Sequence, residues 1–354
     1  MTPIQLIALL AIFAFVLSWI IYPAVYRYAQ KHKMVDIPNQ RKLQKQPTPL
    51  LGGCVVALAI IIPWIISALH FGWSSWYITI CFIVLSLLLG LLDDIYELPA
   101  MLRFIVEIIL VGAYIILSHS MIDNFNGLWN LQQISSLIAI PLSILAGVGI
   151  INSINLIDGI DGYSSGFGII SCTLFGVFFL HVQDWAFAGL VLIVAAAMVP
   201  FFYYNLFSKN KKMFIGDCGT LMLGAIMAVA VFRILSKESS YTVVLQQNMG
   251  LVALCIAVLC IPIFDTIRVM SERLLRGVSP FTADKTHLHH LFLEHQLSHL
   301  QTTIIILSIN LVITTIWYIS YRLKVSIDIQ LYLVVALGIL FTFGLSAFLR
   351  KRNK

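Results

Sequence analysis

Charge is scarce in this chain: Asp, Glu, Lys and Arg make up only 11% of its 354 residues, against roughly 25% in an ordinary soluble domain. A surface facing water on all sides cannot be built from so few. Cysteine is also sparse. Cys54, Cys81, Cys172, Cys218, Cys255 and Cys260 stand mostly inside apolar runs, without the paired spacing of a zinc site or the loops of a disulfide framework, and read as small core residues. No polar stretch is long enough to form a separate soluble domain. No basic residue precedes the first apolar run, Ile4 to Tyr26, which is too long for a signal-peptide core and is expected to remain as a helix. The net charge of +6 would suit nucleic acid, but the basic residues cluster at the ends of apolar runs, where they set membrane orientation instead. Nucleic acid is therefore not an expected partner; a lipid bilayer is.

What the chain has is apolar length, with 60% hydrophobic residues. A bilayer core about 30 Å thick takes roughly 20 apolar residues per helical crossing. Such runs place crossings near 3–26, 50–70, 75–92, 100–118, 134–152, 163–181, 186–206, 218–236, 249–270, 301–321 and 330–349. The expected fold is all-α, one polytopic membrane domain over 1–354 with about eleven spans. Arg27 to Lys45, Lys209 to Lys212, Arg268 to Lys285 and Arg350 to Lys354 all fall on one side of this arrangement, whereas the other side receives only Lys237, Arg322 and Lys324, with Arg233 near it. The positive-inside bias makes the first side cytoplasmic, the N-terminus external and the C-terminus cytoplasmic.

The acidic residues follow the same side. Loops near 27–49, 93–99, 153–162, 207–217 and 271–300 collect Asp93, Asp94, Asp158, Asp161, Asp217, Asp284, His287, His289 and His290. External loops carry Asp123, Asp184, Glu238 and Asp328, each isolated and read as solvated. An ion pathway would spread acids through the bilayer depth. Here only Glu107 lies well inside a crossing, with Asp265 near the cytoplasmic end of the ninth, which weighs against a transporter.

Each cluster admits a bland and a chemical reading. Asp93 and Asp94, with Glu97 nearby, are adjacent like charges at a helix end: a hydrated cap, or a site where a cation or a proton offsets the repulsion. Asn152, Asn155, Asp158 and Asp161 repeat a polar residue every third position. On one straight helix that spacing drifts by about 60° per step, so Gly159 and Gly162 are expected to turn the backbone and bring both Asp residues to one cavity. Asp217, between Gly216 and Gly219, reads alone as an N-cap. Asp284-Lys-Thr-His287-Leu-His289-His290 would be a zinc site only with further ligands, and no cysteine pair lies nearby; imidazoles and Lys285 would instead donate to phosphate oxygens. Arg41 and Lys42, in a loop punctuated by Pro38, Pro47 and Pro49, serve equally for lipid head groups or substrate. Carboxylates beside cationic and imidazole groups point to an anionic substrate held through a hard divalent ion.

In order and spacing, Asp93-Asp94-x-x-Glu97, Asn152-x-x-Asn155-x-x-Asp158-Gly-x-Asp161-Gly, Phe214-x-Gly216-Asp217-x-Gly219-Thr220 and Ala283-Asp284-Lys-x-His287-x-His289-His290 resemble the polyprenyl-phosphate N-acetylhexosamine-1-phosphate transferases, and the histidine motif resembles the branch that uses UDP-GlcNAc. The resemblance implies an enzyme of the bacterial inner membrane with its site facing the cytoplasm. It would transfer a sugar-1-phosphate from a UDP-sugar donor to undecaprenyl phosphate, with Mg2+, or Mn2+ in its place, as cofactor; a homodimer is compatible with it. It further implies that Asn155 and Asp217 hold the metal with the donor pyrophosphate, that Asp93 and Asp94 handle the lipid phosphate with Asp93 accepting its proton, and that Asp158 lies beside the reacting phosphates. Asp161, Asn205 and Phe214 match positions near the uridine, and His287, His289 and His290, with Arg41 and Lys42, contact the diphosphate. Direct attack by the lipid phosphate is the reading taken; a covalent Asp intermediate and another donor sugar are the competitors. Three positions depart from the pattern: Gln44 where a His is usual, Tyr163 for Leu and Thr220 for Ser.

Overall fold

The computed structural model describes residues 1–36, 47–72, 74, 76–208, 210–239, 241, 248–280, 282 and 284–352. Arg41, Lys42 and Gln44 lie outside the described residues. Ten helices are long and apolar enough to cross a bilayer, each matching an expected span: α1 (Pro3–Lys31), α2 (Gly52–His70), α3 (Trp76–Tyr96), α4 (Ala100–Ser118), α5 (Ser136–Leu156), α6 (Tyr163–His181), α7 (Trp185–Phe207), α8 (Gly216–Ile234), α12 (His299–Arg322), and a last span in which α13 (Ile327–Ile339) runs through a π turn into α14 (Leu345–Arg352). Between α8 and α12 lie α9 (Leu251–Val258), α10 (Cys260–Leu275) and the short α11 (Leu288–Glu294). The sole described sheet is a two-residue antiparallel ladder, β1 (Val35–Asp36) with β2 (Thr48–Pro49).

The span expected near 249–270 is the exception to straight helices. It is broken into α9 and α10, bent by 74°. Pro262 has no N–H to close the turn onto Val258, and the side chain of Asn310 on α12 fills the gap. Its Nδ2 donates to the Val258 carbonyl at 3.0 Å, and its Oδ1 accepts the Ile261 N–H at 3.1 Å. Unpaired, those two groups would each cost several kcal/mol in an apolar medium.

Contacts divide the chain into two units. The first comprises 1–110 and 161–227. In it, α1 lies against α7: Tyr22 stacks on Tyr204 at 4.1 Å between ring centroids and donates to the Lys211 carbonyl at 2.7 Å, while Ser18 donates to that of Ala197 at 2.7 Å. Trp64 on α2 donates to the Leu190 carbonyl at 2.9 Å. The opposite face of α1 exposes Leu9, Ile12, Phe13 and Ile20, a surface suited to lipid chains rather than water.

The second unit comprises 111–160 and 228–354. Here two loop carboxylates differ from the solvated state expected of them. Asp123 is buried, accepts the Lys237 N–H at 2.7 Å and faces the Lys237 ammonium at 3.5 Å. Asp328 accepts the Trp129 N–H at 2.8 Å. In the first unit Asp184, likewise expected to be solvated, caps α7 through the Phe187 N–H at 3.4 Å. In each case a backbone donor in a loop or at a helix start is met by a nearby carboxylate.

Candidate active site

In the first unit the start of α8 is wedged against two other helices, and glycine permits the approach. A Cβ on Gly90 of α3 would overlap the Asp217 carbonyl, and one on Gly53 of α2 would overlap the Gly219 backbone. Gly216 sits at φ +72°, and a Cβ there would crowd the Leu50 carbonyl and the Asp94 carboxylate. Strand-like hydrogen bonds from Gly52 and Gly53 to the carbonyls of Phe214 and Ile215, at 2.9 and 2.8 Å, fix the segment entering α8.

Four charged side chains converge there. Asp94 accepts the N–H groups of Asp217 and Cys218 at 2.9 and 3.0 Å, so a carboxylate from α3 caps α8 in place of a residue of its own chain segment. Asp93, buried, accepts the Leu98 N–H at 2.8 Å, which closes the end of α3 where Glu97 takes a left-handed φ of +48°. Its other oxygen accepts from Arg103 at 2.6 Å. Arg103 also lies 3.6 Å from Asp217 and 3.7 Å from the buried Glu107. The Asp217 side chain is 38% exposed, more open than Asp93 at 7% or Glu107 at 2%.

A second group lies beside it in the same unit. Asn205, buried, accepts the Gly162 N–H at 2.6 Å and donates to the Met213 carbonyl at 2.9 Å, tying two loops together. Gly162 adopts φ +76°, as a turn into α6 requires. Asp161 pairs with Lys212 at 2.7 Å, and the Lys212 ammonium lies 5.4 Å from the centroid of the Phe214 ring. Asp161 and Phe214 thus meet at Lys212, and Asn205 bonds the residues next to Asp161 and Lys212, Gly162 and Met213. Tyr163 is buried, and Thr220 donates to the Gly216 and Asp217 carbonyls at 3.4 and 3.3 Å.

In the second unit α5 ends at Leu156, and the chain turns through Asn155, Asp158 and Gly159, with the Asp158 N–H reaching the Asn155 carbonyl at 3.2 Å. Gly159 is needed for space rather than for a left-handed turn, since a Cβ on it would overlap His289 Nε2. His287 and His289 are buried, with rings parallel within 7° at 5.8 Å, and the His290 ring lies 4.2 Å from that of His289. Burial, then the neighbouring His290 and His287, push the His289 pKa well below the usual histidine value; burial, His287 and Lys285 push His290 down to about 4. At neutral pH both rings are neutral. His289 Nε2 has no hydrogen-bond partner among the described residues. Asp284 is committed elsewhere: Arg273 grips it at 2.8 and 3.2 Å and Thr286 donates to it at 2.6 Å, and although burial opposes this, these donors hold its carboxyl well below the usual range.

Among the described residues no three His, Cys, Asp or Glu side chains are grouped to hold a metal ion by themselves. Magnesium does not demand such a cage, because it commonly takes one or two protein oxygens and completes its shell with phosphate and water. The half-exposed Asp217 carboxylate fits that donor chemistry.

Residues 76–235 match the family model described as glycosyl transferase family 4. The chain is 31% identical over 296 residues to the "probable undecaprenyl-phosphate N-acetylglucosaminyl 1-phosphate transferase" of Bacillus subtilis (strain 168), covering 83% of this chain and 79% of that one. The chain belongs to glycosyl transferase family 4. It is also similar to the "decaprenyl-phosphate N-acetylglucosaminephosphotransferase" of Mycolicibacterium smegmatis (strain ATCC 700084 / mc(2)155), 27% identical over 86% of this chain and 79% of that one. The "undecaprenyl-phosphate alpha-N-acetylglucosaminyl 1-phosphate transferase" of Escherichia coli (strain K12) is 25% identical over 84% and 79%. Nothing among these relatives favours a transporter.

Sequence reasoning passed over four residues of this family-4 chain. Arg103 was detectable as the sole Lys or Arg between Lys45 and Lys209. Lys212 and Arg268 read only as orienting charges, yet the first pairs with Asp161 and the second is fully buried. Asp265 read as an acid near a helix end, yet it bonds His287.

Proposed function

We propose that this family-4 enzyme moves N-acetylglucosamine 1-phosphate from UDP-GlcNAc to undecaprenyl phosphate, on the cytoplasmic face of a bacterial inner membrane. The observation that carries the reading is the junction of α3, α4 and α8, where Asp93, Asp94, Asp217 and Arg103 meet within a few ångströms. Carboxylates alone would repel a phosphate. A guanidinium beside them, and a half-open carboxylate able to share a hard cation, reverse that repulsion.

In this reading an oxygen of the lipid phosphate attacks the phosphorus that bears the sugar, the bond to the uridylyl phosphate breaks, and UMP leaves. Asp93 stands as the acceptor for the lipid phosphate's proton, with Leu98 and Arg103 holding it in place, and Asp158 attends the reacting phosphates. Asp94 contributes by fixing the start of α8 and so the position of Asp217. Asn155 and Asp217 are the proposed oxygen donors to Mg2+, or to Mn2+ in its place; a bound divalent ion would neutralise charge on the diphosphate. The group around Lys212, with Asp161, Asn205 and Phe214, is the proposed nucleoside end, and His287, His289 and His290, with Arg41 and Lys42, are the proposed diphosphate contacts. Neutral His289 and His290 would serve as hydrogen-bond partners rather than as charges, and the unpartnered Nε2 of His289 supports that use. The clustering of basic residues on one side of the alternating spans supports the cytoplasmic orientation.

Purified protein supplied with magnesium, UDP-GlcNAc and undecaprenyl phosphate is expected to release UMP and form a lipid-linked sugar diphosphate. Release of UDP would mean that the sugar–phosphate bond had broken instead, and would sink the reading.

A further inference from the structure

In the second unit the histidine-bearing segment rests on a buried ion pair of α10 for which the reaction proposed above has no role. Asp265 and Arg268, one helical turn apart, are both buried, Arg268 with no exposed surface. Arg268 donates twice to Asp265 Oδ1, from Nη2 at 2.6 Å and Nε at 3.2 Å. It also donates to the Thr286 carbonyl at 2.7 Å, to Glu272 at 2.9 Å and to Ser346 on α14 at 3.1 Å. Asp265 Oδ2 faces His287 Nδ1 at 2.8 Å, and the Leu288 N–H lies 3.3 and 3.2 Å from the two oxygens.

Asp265 is therefore an acceptor at every one of its other contacts, since guanidinium and amide nitrogens only donate. The proton in the Asp265 to His287 contact then belongs to Nδ1. Which ring nitrogen of a histidine works on a ligand is set by the bond the other nitrogen makes. Arg268 prevents Asp265 from rotating away, because swinging the carboxylate would strand a buried guanidinium.

We propose that Asp265 is a positioning residue: it locks His287 as the Nδ1–H tautomer and leaves Nε2 as the nitrogen offered to an anionic ligand, with Arg268 as the clamp. Nε2 then carries the lone pair. With a proton drawn from solvent as the anion binds, the ring becomes an imidazolium that, with Asp265 behind it, donates a charge-assisted hydrogen bond to a phosphate oxygen. The identity of that ligand as a nucleotide-sugar diphosphate rests on the proposed function; the tautomer does not.

The full-length protein with 15N-labelled histidine, in lipid nanodiscs above the ordinary histidine range, tests this directly. His287 signals, assigned by their loss in His287→Gln, are expected to show a protonated Nδ1 and a bare Nε2; a protonated Nε2 overturns the proposal, whether or not Asp265→Asn folds. In UMP release, Asp265→Asn is expected to lower kcat by about tenfold or more with little change in the KM for the donor, the scale of loss when a group orienting a functional histidine is removed. In a His287→Gln background the same substitution is expected to cost nothing further. An equal loss in both backgrounds would show that Asp265 merely supports the fold and would overturn the positioning role. Should the unaltered protein release no UMP, the transferase reading fails, while the tautomer measurement still decides this inference.

Discussion

Asp94 and Asp217 are joined through the backbone: one carboxylate oxygen of Asp94 lies 2.9 Å from the Asp217 nitrogen, and the other lies 3.0 Å from that of Cys218. An acidic side chain at a helix start meets both the unpaired N–H groups and the positive end of the helix dipole. The adjacent pair Asp93-Asp94 thus divides its duties. Asp94 faces α8, and Asp93 faces Arg103 and the end of α3.

Asp94→Ala is expected to lower stability by about 2 kcal/mol, since it strips a charged cap from two N–H groups at the start of an apolar helix. Activity should fall with it, because Asp217 loses its anchor. Thermal unfolding in detergent measures the first effect. A midpoint equal to that of the unaltered protein would show that water replaces the cap without loss.

Asp217→Ala should separate the two properties. The side chain is 38% exposed, and its backbone nitrogen keeps the Asp94 bond, so the unfolding midpoint is expected to move little. Turnover should fall by about 10²-fold or more if this carboxylate shares the metal with the substrate. A magnesium titration of UMP release gives the readout. Unchanged activity across the titration would remove Asp217 from the metal site.

Gly159 and His289 make a steric prediction. Any Cβ at position 159 overlaps His289 Nε2, so Gly159→Ala must displace a buried ring, at a cost of about 1–3 kcal/mol. Gly159→Ala combined with His289→Ala should regain the lost stability, because the ring is gone, without regaining activity. Equal stability of Gly159→Ala and the unaltered protein would mean that the loop moves aside freely.

Hydropathy made the spans legible because each is a long apolar run, and the loops could be read because charge in a bilayer protein concentrates at the ends of spans. Three-residue periodicity likewise exposed Asn155, Asp158 and Asp161. Pairings across the chain were not readable. Asn310 lies inside an apolar helix and repairs a break 52 residues away at Val258, which no local pattern announces. Asp123 looks like any loop acid until the Lys237 N–H is seen to need it. Gly159 and Gly162 were both expected to turn the backbone; Gly162 does so with φ +76°, whereas Gly159 has no left-handed φ and instead leaves room for His289. Asp265 and Arg268 read as one acid and one orienting base because their meaning lies in His287, 22 residues from Asp265.

The neutral histidines set an acid limit on stability. Burial drives the pKa of His290 from 6.5 down to about 4 and that of His289 well below 6.5. As pH falls below 6.5, the unfolded chain takes up protons on these rings that the folded chain still refuses, so acid favours unfolding. Stability owed to them is complete above pH 6.5, drains as pH falls toward about 4, and levels off for His290 once its folded form also protonates. Asp284, with an ordinary value of 3.8 and a folded value held below it by Arg273 and Thr286, adds its own loss only at still lower pH. The unfolding midpoint in detergent should therefore decline between pH 6.5 and 4, and His290→Gln, which cannot titrate there, should flatten part of that decline. A variant whose profile runs parallel to that of the unaltered protein through this window would show that His290 protonates alike in the folded and unfolded chains, so that burial does not depress its pKa.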